Sequence, residues 1–101
     1  MKNNRLTERQ RALLCEAIRR YTLFHLDEDL HSAWLGLGTL TEYRPVYDIG
    51  LMTYATSPNP GYMTWWKLTD AGAKIVAGWL AMGYTNDKIK GGVLPPLEIQ
   101  S

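Results

Sequence analysis

His25 and His31 flank the acidic run Asp27, Glu28 and Asp29, and these five residues are of types that could bind a metal or move protons. A metal site needs three or four ligands converging on one point. The chain has neither a His-x3-His nor a Cys-x2-Cys spacing, and on a helix the two imidazoles would point apart. Asp27 and Asp29 form the kind of carboxylate pair that acid–base catalysis uses. Acids ahead of an apolar run, however, equally complement the exposed N–H groups of a helix start. Cys15 is the only cysteine, which precludes an internal disulfide and fits a reducing compartment. Its place among apolar neighbours reads as a small buried hydrophobe rather than a nucleophile. Gly36-x-Gly38 has neither the spacing nor the lysine of a phosphate loop. The expectation is a protein that is not an enzyme, with no catalytic residues, no metal and no cofactor.

Composition points the same way. With 101 residues, 46% of them hydrophobic, the chain holds one small core, and a net charge of +1 with 21% charged residues describes neither a polyanion binder nor a disordered segment. No apolar run approaches the roughly 20 residues of a membrane span, and the polar start MKNNRLTERQ lacks a signal-peptide core, so a cytoplasmic protein is expected.

The elements that must position any site read as follows. Thr7 and Gln10 make a capping box, and from Glu8 to about Thr22 the residues Arg11, Leu14, Cys15, Ala17, Ile18 and Tyr21 recur at helical spacing. Leu13 falls among Arg9, Glu16 and Arg20 on the opposite, outward side, where it would be an isolated contact point. HLDEDLHSAWLGLG reads as a second, short helix, with Leu30, Ala33, Trp34 and Leu37 at helical spacing before a glycine stop. In TLTEYRPVYDIG, Pro45 permits either a short helix that starts at the proline and ends at Gly50, or an extended Tyr43 to Tyr47. LMTYAT and YMTWWKL are strand-like arms around a turn at Ser57 to Gly61, with Thr64, Trp66 and Leu68 on one face and Met63, Trp65 and Lys67 on the other. Leu68 must feed the core, which places Trp66 inside and Trp65 outside. Thr69 then caps a helix that Gly83 closes, with Gly72, Ile75, Val76, Trp79 and Leu80 as its main stripe. The rest of that helix carries Ala71, Ala73, Ala77, Gly78 and Ala81 with Lys74, small enough to admit a second helix, and a homodimer is expected there. Residues 84–101 read as an extended tail, laid across a surface through Val93, Leu94 and Leu97 or disordered. The fold class is α+β and mostly helical, a single domain over residues 1–83 built from three helices, a two-stranded antiparallel hairpin and a closing helix.

The stretch GLMTYATSPNPGYMTWWKLTDAG resembles the wing region of winged helix-turn-helix proteins, through Gly50, Leu51, Trp66, Leu68, Thr69 and Gly72. The resemblance spans roughly residues 7 to 83 and implies a winged-helix-like fold with duplex DNA as partner, a recognition helix in the major groove and a regulatory role. Charge placement opposes that docking mode. Residues 21 to 66 hold Arg44 against Asp27, Glu28, Asp29, Glu42 and Asp48, a net charge of −4 where phosphates would lie. The first twenty residues carry Lys2, Arg5, Arg9, Arg11, Arg19 and Arg20 against Glu8 and Glu16, a net charge of +4. The nucleic-acid contact candidates are therefore Arg5, Arg9, Arg19, Arg20 and Arg44. The alternative is a protein-interaction module that does not bind nucleic acid, with Leu13, Tyr47, Trp65, Ala77, Gly78 and Ala81 as interface candidates; aromatic residues are enriched at such interfaces.

Overall fold

The computed structural model describes residues 6–24, 27–55, 61–92 and 95, and within them the chain runs α1 (Glu8–Phe24), β1 (Gly36–Gly38), α2 (Leu40–Tyr47), β2 (Met52–Tyr54), β3 (Thr64–Leu68), α3 (Asp70–Ala81) and α4 (Asn86–Lys90). The three strands form an antiparallel sheet in the order β1-β3-β2, which shares one buried core with α1, α2 and α3. The fold is thus α+β. Among the described residues no helix is long and apolar enough to cross a membrane.

The capping box that starts α1 is formed: the Thr7 N–H donates to Gln10 Oε1 at 2.8 Å, and the Gln10 N–H donates to Thr7 Oγ1 at 3.1 Å. Gln10 Nε2 also donates to the Pro45 carbonyl at 3.0 Å, which ties α1 to α2. On the side of α1 expected to face solvent, Arg9 stays exposed but Leu13 does not. Leu13 is a core residue, correcting its assignment as an outward contact point.

Residues 27–33 form turns rather than the expected second helix, and the chain then enters the sheet as β1. Trp34 and Leu37 fit one helical face at three-residue spacing, and both are exposed, yet Gly36–Gly38 is a strand with Leu37 outward between two buried glycines. The Leu35 N–H donates to the Trp66 carbonyl at 2.8 Å. Two glycines make this possible. A methyl group on Gly38 would lie 2.7 Å from Tyr43 Cε2, and one on Gly36 would overlap the Tyr43 phenol, so their bare backbone is the floor on which the Tyr43 ring rests.

The expected helix beginning at Pro45 begins five residues earlier. Thr39 and Glu42 close a second capping box, and Pro45 sits inside α2. The proline removes one N–H, whose partner would be the carbonyl of exposed Thr41, where water substitutes at small cost. Gly50, at φ 76°, then turns the chain into β2.

The second arm of the hairpin faces as expected, with Trp66 and Leu68 buried and Trp65 exposed; Met52 pairs with Leu68, Thr53 with Lys67 and Tyr54 with Trp66. The turn assigned to Ser57 to Gly61 falls outside the described residues except for Gly61, which has φ 92°. Thr69 caps α3 by accepting from the Gly72 N–H at 3.2 Å, its hydroxyl donates to the Gly50 carbonyl, and its own N–H donates to the Leu51 carbonyl. Gly83, at φ 90°, ends α3. Part of the segment read as an extended tail is helical: α4 folds back so that Ile89 packs on the core beside α1. Val93, Leu94 and Leu97 lie outside the described residues.

Candidate interaction surface

The sheet has two unlike faces. Its inner face centres on Trp66, which is 0% exposed and stacks on Tyr43 with ring centroids 4.9 Å apart and planes 9° from parallel. Tyr47 and Tyr54 meet the same indole edge-on at 5.7 and 5.8 Å, and Trp66 Nε1 donates to the Gly38 carbonyl at 3.1 Å. Tyr47, an interface candidate from sequence, is thereby part of the inner aromatic cluster. Its hydroxyl is pushed above the ordinary tyrosine pKa, mainly by a hydrogen bond with the Tyr54 hydroxyl.

Strand alternation sends Leu37, Thr53, Trp65 and Lys67 to the outer face. Leu37 and Trp65 stand directly opposite each other across β1 and β3, 37% and 44% exposed. Met63 precedes Trp65 on the same side of the chain and is exposed. Trp34 stands at the other end, and Lys67 places its Nζ 5.1 Å from the centroid of the Trp34 ring. Trp65 was legible as the exposed ring of the wing. Trp34, Leu37 and Lys67 were not assigned to a site, because the outer face needs β1, and the segment around β1 read as helix.

Among the described residues, the arginine candidates lie on α1 and α2. Arg5 lies outside the described residues. Arg19 Nη1 donates to Glu16 Oε1 at 2.9 Å, and Arg20 Nε sits 3.3 Å from the other oxygen of the same carboxylate. Arg11 donates to the Pro95 carbonyl at 3.1 Å. Arg9 and Arg44 are exposed, on α1 and α2. Arg9 acts electrostatically on Glu42, whose carboxyl is held below the ordinary carboxylate range chiefly by the Thr39 backbone N–H. On the back of α3, Ala77 and Ala81 are exposed and Gly78 has no atom within 4 Å of where a Cβ would stand, so this face is open.

The residues that raised chemical possibilities sit apart from one another. Burial pushes the Cys15 thiol up, away from the reactive thiolate, and nearby Arg11 only partly offsets it. His31 Nε2 lies 3.4 Å from Asp70 Oδ1 at the surface, while His25 is outside the described residues. Among the described residues no group of three or more His, Cys, Asp or Glu side chains is placed to hold a metal.

No family model, curated protein or solved structure matches the chain. The geometry of the outer sheet face is therefore the guide to function.

Proposed function

We propose that this protein is a non-enzymatic interaction module that docks another protein on the outer face of its three-stranded sheet. The observation that supports this most is the cross-strand pair of Leu37 and Trp65, left half-exposed beside Trp34 on a sheet whose other face buries Met52, Trp66 and Leu68. Contiguous exposed apolar surface of this kind marks binding sites in soluble domains, and tryptophan is among the residues that dominate interface energies. The hairpin of β2 and β3, and the close approach of Gly72 that seats α3 against it, support a winged-helix-like scaffold.

Duplex DNA binding is the second reading, favoured by exposed Arg9 and Arg19 on α1. Against it, a helix-turn-helix joins two helices by a tight turn, whereas here a strand separates α1 from α2, and α2 exposes Glu42 and Asp48 around Arg44. Pairing of two copies through the open back of α3 belongs to the same proposal; light scattering should give a mass above the monomer's 11.5 kDa that Ala77→Glu lowers to it, and a monomeric wild type removes the dimer.

The test of function is a comparative capture from the native lysate. The immobilised wild-type chain should retain a protein that the double variant Leu37→Ser, Trp65→Ser releases, with a loss of about 2 kcal/mol or more for the tryptophan alone. In parallel, fluorescence anisotropy with random duplex DNA at about 50 and 200 mM salt should show no binding. Salt-sensitive DNA binding that weakens when Arg9 and Arg20 are both neutralised, with no capture that depends on Trp65, would replace this reading with the second.

A further inference from the structure

The geometry points to a short amphipathic helix, with an acidic residue at one end of its apolar stripe, as the occupant of the outer sheet face; this rests on the docking role proposed above. Three features of the face carry it. The first is spacing. Trp65 and Lys67 alternate along β3 on one side, about 6.8 Å apart, with exposed Met63 just before the strand. A helix places residues i and i+4 about 6 Å apart along its axis, which matches that pair. Helix-on-sheet layering is also the ordinary way an apolar sheet face is covered.

The second feature is the polarity of the row. Met63, Trp65 and Leu37 are apolar, whereas the far end is cationic. Lys67 rests its ammonium on the Trp34 ring, and no carboxylate forms an ion pair with it among the described residues. Covering this face buries that ammonium, and a buried charge without a counter-charge is costly. The partner must bring a carboxylate to that end.

The third feature excludes other occupants. A second copy meeting this face with its own outer face supplies no carboxylate, since Leu37, Thr53, Met63, Trp65 and Lys67 contain none. A nucleic-acid strand could stack bases on Trp65, but one cation on the face gives little of the phosphate neutralisation on which such binding depends.

The experiment selects phage-displayed random peptides, about four helical turns long, on the immobilised full chain, and measures winners against variants. Selected peptides should lose binding to Trp65→Ser and carry apolar residues at i and i+4 with Asp or Glu one turn beyond. Lys67→Glu should weaken them about tenfold, and replacing the peptide's acid with lysine should restore binding to that variant. Trp65-dependent peptides that lack the acid, or that ignore Lys67→Glu, overturn this inference and leave the docking role standing. Absence of any Trp65-dependent peptide overturns the docking role itself. Tryptophan quenching by oligothymidylate that Trp65→Ser abolishes assigns the face to nucleobases instead. Circular dichroism of both variants should match the wild type, because both side chains lie outside the core.

Discussion

Trp66→Ala is expected to cost about 3–5 kcal/mol and to leave the domain marginal or unfolded, since small domains hold only about 5–15 kcal/mol of stability. The indole fills the centre of the inner face between Tyr43, Tyr47 and Tyr54, and its Nε1 satisfies the Gly38 carbonyl. Removing it opens a cavity that three rings line, and takes the hydrogen bond that holds β1 against β3. Trp65→Ala, one residue away on the same strand, should change stability by about 0.5 kcal/mol or less. Urea denaturation of the two variants checks the contrast. Equal losses, or a larger loss at Trp65, would mean that the strand presents the opposite face, because a one-residue slip exchanges every side chain between core and solvent.

That register was legible in the sequence for a physical reason. Alternation along MTWWKL is unambiguous once Leu68 is anchored by the helix that follows, and the Thr69 cap leaves little freedom in where that helix starts. The caps at Thr7 and Thr69 were local signals and both formed. The third cap, Thr39 with Glu42, was equally local, but Pro45 outweighed it; a proline in a two-turn helix removes a single hydrogen bond, which the cap and the burial of Tyr43 and Val46 offset. β1 was not legible, because a three-residue strand flanked by glycines has no periodicity of its own. Its position depends on the Tyr43 ring seven residues from Gly36, a tertiary fact. Leu13 was misplaced for the same reason: its helix looks two-faced in isolation, and only tertiary packing brings Leu13 into the core. Half of the candidate site, Trp65, therefore followed from local sequence. The half contributed by Trp34 and Leu37 waited on β1.

The second large effect contrasts two glycines of one helix. At Gly72 an added methyl group would overlap the Leu51 carbonyl oxygen and lie 2.9 Å from its carbon, at the junction where the Thr69 N–H meets the same carbonyl. Backbone cannot rotate aside as a side chain can, so Gly72→Ala must push α3 away from the start of β2, at a cost of about 1–3 kcal/mol. Gly78 meets nothing within 4 Å, and in mid-helix Gly78→Ala should stabilise the domain by about 0.5–1 kcal/mol. Thermal denaturation should move the two melting temperatures in opposite directions. Shifts of the same sign would show that α3 does not seat its first turn on the hairpin.

The claim that the outer sheet face is the docking surface is tested most directly by acrylamide quenching of tryptophan fluorescence, first on the free chain and then on its complex with the protein it captures. Trp34 and Trp65 are 37% and 44% exposed, whereas Trp66 and Trp79 are 0% and 1% exposed, so free-chain quenching should come almost wholly from the first pair and vanish in the double variant Trp34→Phe, Trp65→Phe. Complex formation should protect that pair and leave the buried pair unchanged. Quenching of Trp34 and Trp65 that stays at the free-chain level in a saturated complex would contradict the account and place the partner on another face.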